Sequence, residues 1–148
     1  MTSTRKLAVA APAGAVLEYL RDYAHTADWD LSTRSCKRID TGPIVPGSWW
    51  RHESKVLGIT TELDYTLVTE NGDRLAFTGR GENATATDVI TVTAGERGGS
   101  EITYHAEREL HGLAKLATPV LRVEFEKLAS ASVQRLTGIL DHVHQPFM

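Results

Sequence analysis

The sequence predicts one α+β domain spanning residues 1–148, in which a curved antiparallel sheet of about seven strands wraps a long C-terminal helix. Three observations carry this. Much of the stretch from residue 49 to residue 110 alternates apolar and polar side chains, as strands with one buried and one wet face do. After His111-Gly112 the period changes to about 3.6 residues, with Leu121, Phe125, Leu128, Ser132, Leu136, Ile139 and Val143 at three- and four-residue steps. That helix is the only element large enough to cover the apolar face of the sheet.

Taken in order, residues 5–10 read as a first strand, and Pro12 as the first residue of a short helix, where its missing N–H costs nothing. Val16, Leu17 and Leu20 form the apolar stripe of that helix, and a second short helix or turn carries residues 25–29. Residues 34–39 follow as a strand, and the two prolines and two glycines of 41–47 mark a loop. Strands 49–56 and 59–69 flank Leu57-Gly58, a two-residue turn that pairs Val56 with Ile59. That register sends Trp50, His52, Ser54, Leu63, Tyr65 and Leu67 inward and Arg51, Glu53, Lys55, Glu62 and Asp64 outward. Asn71-Gly72 signals the next hairpin. A strict two-residue turn there would put Leu75 and Phe77 on the wet face, so a three-residue loop with a bulge is expected before strand 75–81. Strands 84–94 and 101–110 form the last hairpin, with Ala86, Asp88, Ile90 and Val92 facing inward beside Ile102, Tyr104, Ala106, Arg108 and Leu110. Thr118-Pro119 either caps and opens the long helix or kinks one begun near Leu113.

Composition bounds the function. The chain is 41% hydrophobic and 24% charged, with a formal net charge of -3 and its Lys and Arg scattered, so no basic face for nucleic acid is expected. The apolar run 7–11 is short and broken by Pro12, which argues against a signal peptide. No stretch approaches the roughly 20 apolar residues of a membrane span, and with one cysteine no internal disulfide can form, so a cytoplasmic protein is expected. Cys36 reads as a small strand residue rather than a nucleophile, since nothing near it in sequence would lower its pKa. No metal and no cofactor are expected. His142 and His144 are the only close pair of histidines, and a two-residue step on a helix points them apart. There is no Gly-rich phosphate loop and no Gly-x-Ser-x-Gly elbow.

Small residues interrupt both partners of the core: Ala129-Ser-Ala-Ser132 on the helix, and Gly79, Gly81, Ala84 and Ala86 on the strands. They mean either a void or a close helix–sheet approach, and spacing alone leaves both open. A wider pattern bears on this. Ala11-Pro12 with its helix, Tyr23-Ala-His-Thr-Ala-Asp-Trp29-Asp30 and Gly47-Ser-Trp-Trp50 stand in the first third of the chain. Asp88-Val-Ile-Thr91, Gly99-Ser-Glu-Ile-Thr-Tyr104 and Leu110-His-Gly-Leu-Ala-Lys-Leu-Ala-Thr-Pro119 follow. In this order they resemble the START-like (SRPBCC, Bet v 1-like) superfamily, in its polyketide cyclase/dehydrase branch. The resemblance implies a helix-grip fold with an apolar pocket between sheet and helix, in a group that includes lipid and hormone binders and aromatase/cyclases.

The expected function is therefore binding of a small hydrophobic ligand (lipid, polyketide or aromatic) in an internal cavity. The alternative is a polyketide cyclase or dehydratase working in the same pocket. Expected on the cavity are Trp50, His52, Tyr65, Phe77, Asp88 and Tyr104 from the sheet. Leu121, Phe125, Leu128 and Ser132 are expected there from the helix, with Trp29 and the 41–47 loop at the mouth. In the enzymatic reading His52 takes a proton alpha to a carbonyl, and Tyr65 or Arg108 holds the enolate oxygen. In the plainer reading His52 is a hydrogen-bonded core histidine, Tyr65 a core aromatic, and Arg108 the diagonal partner of Asp88.

Overall fold

The computed structural model describes residues 1–142; Val143 and His144, both invoked above, lie outside the described residues. The chain runs β1 (Thr2–Val9), α1 (Ala13–Arg21), α2 (Thr26–Trp29), β2 (Thr33–Arg38), β3 (Trp49–Val56), β4 (Ile59–Asn71), β5 (Arg74–Arg80), β6 (Ala84–Ala94), β7 (Ser100–Leu110) and α3 (Thr118–Leu140). Short 3-10 segments stand before α2 and before α3. The sheet has seven strands in the order β1-β7-β6-β5-β4-β3-β2, antiparallel throughout. Consecutive strands pair with one another, except that β1 docks on β7.

The Leu57-Gly58 turn has both residues at positive φ, 50° and 80°, the left-handed geometry whose twist matches that of paired strands. Val56 pairs with Ile59, and Trp50, His52, Leu63, Tyr65 and Leu67 are buried. Arg51, Lys55 and Glu62 on the other face are exposed.

The second hairpin differs from expectation. Asn71 pairs with Arg74, so the turn is the two-residue Gly72-Asp73 rather than a three-residue loop. The extra residue sits inside β4 instead, where the register slips between Leu67 and Thr69 and leaves Val68 exposed. The bulge there has the effect expected of the loop: it shifts the phase by one residue and carries Leu75 and Phe77 to the buried face. The chain before β3 holds this point, since Gly47 N–H donates to Leu67 C=O and Leu67 N–H to Ser48 C=O.

Two helix starts also shift. Pro12 is the extended residue before α1, at φ -68° and ψ 157°, and the helix begins at Ala13. For α3 the cap is Ala117 rather than Thr118, and Pro119 sits within the first turn, where it breaks no intrahelical bond. Leu113 lies in the preceding 3-10 segment, Gly112–Ala117, so Pro119 kinks no longer α-helix.

The helices share the concave face unequally. α1 lies over β6 and β7, burying Val16 and Leu20. Tyr23 follows it into the centre, stacked on Tyr65 at 4.2 Å between ring centroids and tilted against Phe77 at 4.8 Å. α3 runs beside β1 and touches α2 and β3. Its end is tied to the start of the chain, where Ala11 N–H donates to Leu140 C=O and Ala10 N–H to the Asp141 carboxylate.

Candidate functional site

Between α3 and the concave face is a cavity of about 150 Å³. The helix wall includes Leu121, Phe125, Leu128, Ala129, Ser132 and Leu136. The sheet wall includes His52, Tyr65, Tyr104 and Arg108, and Trp29 of α2 closes one side with its ring edge-on to Tyr104 at 5.5 Å. Strand alternation brings the polar groups to this wall, since Tyr104, Ala106 and Arg108 are successive inward positions of β7.

Several expected positions fall elsewhere. Trp50, Phe77 and Asp88 do not reach the cavity. All three point inward and are fully buried, but Tyr23 and Tyr65 stack over this part of the sheet and Tyr104 closes over Asp88. Gly79 and Gly81 do not make the void either. A Cβ at Gly79 would meet the Tyr65 ring at 2.9 Å, and one at Gly81 would collide with the Glu62 carbonyl, so both glycines allow close approach. The 41–47 loop lies away from the cavity and against α1, where Pro43 and Ile44 face Ala15 and Tyr19. Arg38 organises this loop by donating to the carbonyls of Thr41, Gly42 and Pro43. Ser132 borders the cavity but is not idle: its Oγ accepts the Leu31 N–H at 3.0 Å and pins α3 to the segment after α2.

Beneath the cavity lies a buried polar cluster. Asp88 is fully buried, and its Oδ2 accepts the hydroxyls of Tyr23 at 2.8 Å and Tyr104 at 2.6 Å. Its Oδ1 accepts Nη1 of Arg108 at 2.6 Å, across the diagonal expected from the register. Burial and the neighbouring Asp88 push both tyrosines well above the ordinary phenol range, so they remain donors. Burial pulls the Arg108 guanidinium down, but the adjacent Asp88 carboxylate together with Tyr65 and Tyr23 outweighs this and keeps it charged.

His52 is held differently. Its Nε2 lies 2.8 Å from Thr33 Oγ1, and that hydroxyl donates its proton to Asp30 Oδ2 at 2.8 Å. A threonine hydroxyl has one proton, so with it placed on Asp30 the imidazole must donate from Nε2. Nδ1 then carries the lone pair, and it is buried without a hydrogen-bond partner. Burial lowers the His52 pKa below its usual 6.5, outweighing the pull of Asp30, and keeps the ring neutral at pH 7. Burial likewise pushes the Cys36 thiol up to about 12. Among the described residues no three His, Cys, Asp or Glu side chains converge as a metal site would need.

Tyr23, Asp30 and Thr33 complete the site and were not singled out for it by sequence reasoning. One signal was present: Asp30 with Ser32 and Thr33 two and three residues on is an Asx-turn pattern, and its carboxylate accepts the Ser32 N–H at 3.1 Å. Tyr23 carried none, because its role depends on a strand more than 60 residues away.

Known proteins share this arrangement of sheet and helix. The family model described as "Polyketide cyclase / dehydrase and lipid transport" matches residues 1–141. The chain belongs to that family. No curated protein matches it. Among solved structures, the Zhui aromatase/cyclase from Streptomyces sp. R1128 superposes with a TM-score of 0.79 at 14% identity, covering 98% of this chain and 96% of that one. A START superfamily protein from Mycobacterium smegmatis gives 0.77 at 9% identity, covering 96% and 98%. The protein TTHA0849 from Thermus thermophilus gives 0.74 at 14% identity, covering 97% and 96%. At such identities the likeness shows the fold, a START-like helix grip, and leaves the chemistry to the residues. Among the described residues no helix of this family member is long and apolar enough to cross a membrane.

Proposed function

We propose that this cytoplasmic protein binds a small hydrophobic ligand, a lipid, polyketide or aromatic, in the cavity between α3 and the sheet. The observation that carries the reading is a void of about 150 Å³ between α3 and the sheet, with apolar side chains on both walls. A cavity of that order accepts a benzene-sized body without rearrangement. Leu128, Ala129 and Phe125 supply apolar contact, and the polar groups of β3 and β7 orient what enters.

The same walls support the second reading, a cyclase or dehydratase. A neutral histidine and a charged arginine border one cavity, as removing a proton alpha to a carbonyl and holding the resulting oxyanion require. In that reading His52 is the base and Arg108 or Tyr65 the donor.

An NMR titration with toluene tests the binding reading. Saturable shifts should appear at Tyr65, Leu128 and Ala129, and Ala129→Leu should weaken them about tenfold without unfolding the protein, because leucine there enters empty space. Ala129 suits this test better than Ser132, whose replacement would strand the Leu31 N–H. Shifts confined to the surface, or unaffected by Ala129→Leu, would place the ligand elsewhere.

A further inference from the structure

We propose that the outer stripe of the 3-10 segment Gly112–Ala117 and the first turns of α3 docks this protein on an anionic lipid surface. The docking stands on observations outside the cavity, and only its link to the ligand rests on the binding reading above. Leu113, Leu116, Val120 and Val123 are 87%, 79%, 63% and 57% exposed, the four most exposed large apolar side chains among the described residues. All four fall within eleven residues of chain. Side chains three apart eclipse in a 3-10 turn, and steps of four and three residues stay on one face of an α-helix, so the four form one stripe. Single exposed apolar residues are ordinary, whereas a contiguous stripe marks a surface that something covers. The opposite side of the same segment faces the protein: Leu121 is buried, and Phe125 and Leu128 follow it along the cavity. A helix apolar on two sides calls for two apolar surroundings, and the fold supplies one of them.

Charge identifies the partner. From His111 to Val123 the chain carries Lys115 and Arg122 and no Asp or Glu, in a protein of net charge -3. Lys127 stands one turn beyond Val123 on the same face. All three cations are exposed, and none forms an ion pair among the described residues. Of the two acids between Arg122 and Lys127, Glu126 pairs with Arg5 at 2.7 Å and Glu124 is half-buried. Glu62, Asp64 and Glu82 line the neighbouring groove together with Arg80, from the sheet and not from the stripe. A bilayer with anionic headgroups takes both halves of this pattern. Leucine and valine enter the acyl boundary, while Lys and Arg reach the phosphates on their long stems. A second copy of the chain fits less well. A two-fold contact would bring two cationic stripes together, and four side chains of this size fall short of the roughly 800 Å² per partner that a stable dimer buries. No helix among the described residues can cross a membrane, so the segment lies on the surface. Ala114, Ala117 and Leu121 of the same segment face the groove beside Ile59, and Leu121 and Ile59 also border the cavity. Docking therefore brings the apolar rim of the cavity to a bilayer, from which an apolar ligand can enter.

The test is co-sedimentation with vesicles of phosphatidylglycerol and phosphatidylcholine in equal parts, against vesicles of phosphatidylcholine alone. The wild type should bind the anionic vesicles about tenfold more tightly, and added salt should weaken that binding by screening the surface charge. Leu113→Gln/Leu116→Gln should weaken it about tenfold or more, as the loss of two inserted leucines implies. Lys115→Gln/Arg122→Gln should weaken it about tenfold. These four side chains are exposed, so neither double variant should move the urea midpoint. Equal binding to the two kinds of vesicle, or unchanged binding by either double variant, would overturn the docking. So would a wild-type dimer in sedimentation equilibrium that Leu113→Gln/Leu116→Gln dissolves, since the stripe would then belong to a second copy. Toluene separates this surface from the cavity: Leu113→Gln/Leu116→Gln should keep the toluene shifts, and Ala129→Leu should keep the vesicle binding. A wild type that binds toluene but no vesicles removes the docking alone, and one that binds vesicles but no toluene removes the cavity reading alone.

Discussion

The two ends of the concave face use the same kind of sheet to opposite effect. On β4 and β5, beside the Tyr23 ring that follows α1, Leu67, Leu75 and Phe77 are fully buried. Under α3, the helix buries only Leu121, Ser132, Leu136 and Leu140, while Phe125 and Leu128 stay half-buried at the edge of the void. The difference has a local cause. α1 is followed at once by an aromatic residue that turns into the core, whereas the middle of α3 carries alanines and serines where leucines would reach the sheet. The packed end supplies the stability that the hollow end forgoes, since a void forfeits the dispersion contacts its lining would otherwise make. The polar cluster of Asp88 lies at the boundary: Tyr23 and Tyr104 border the cavity, while the carboxylate they share is fully buried beneath them.

Truncation should break the comparison most sharply. Phe77→Ala should destabilise the protein by about 3–5 kcal/mol in urea unfolding, because the Tyr23, Trp50 and Tyr65 rings cannot collapse into the space. Leu128→Ala should cost about 1 kcal/mol or less, since that side chain already borders empty space and water. Similar losses at both positions would mean that the two ends are packed alike.

A smaller effect comes from pH. Burial depresses the His52 pKa in the folded protein below the 6.5 of the unfolded chain, so protons bind the unfolded state more readily. The associated stability is fully present above pH 6.5 and is lost as pH falls through the folded value. Denaturation at pH 7 and pH 5 should show His52→Gln losing less on acidification than the wild type; parallel losses would remove His52 as the cause.

The smallest effect belongs to the convex face, which neither end uses. Arg51 pairs with Asp64 at 3.0 Å, with both side chains close to half exposed. Arg51→Ala should stay within about 0.5 kcal/mol of wild type. A larger loss would show that this face is covered.

Much of this arrangement was legible in the chain. The Val56–Ile59 register follows from a two-residue turn with a glycine, and it alone sends His52 and Tyr65 inward and Arg51 and Asp64 outward. The diagonal of Asp88 and Arg108 follows from the last hairpin in the same way. The second hairpin was half legible: burial of Leu75 and Phe77 demanded an extra residue, but its place at Val68 could not be read, because a bulge is set by what the neighbouring segment bonds to. Gly79 and Gly81 left both readings open because an absent side chain looks the same in sequence whether it leaves a void or admits a neighbour.

What the sequence determined by itself is which face each residue takes. Those are matters of period two and period 3.6, fixed by backbone geometry over a few residues. Tertiary structure decided which inward residues border the void. Asp88 and Tyr104 are both inward on adjacent strands, yet one is sealed beneath Tyr23 and the other stands in the cavity wall. The tautomer of His52 likewise waits on Thr33 and Asp30, which reach it only when β2 pairs with β3. A cavity is the volume left after distant elements have met, and a proton sits where the nearest acceptor has been brought, so neither is a property of a local stretch of chain.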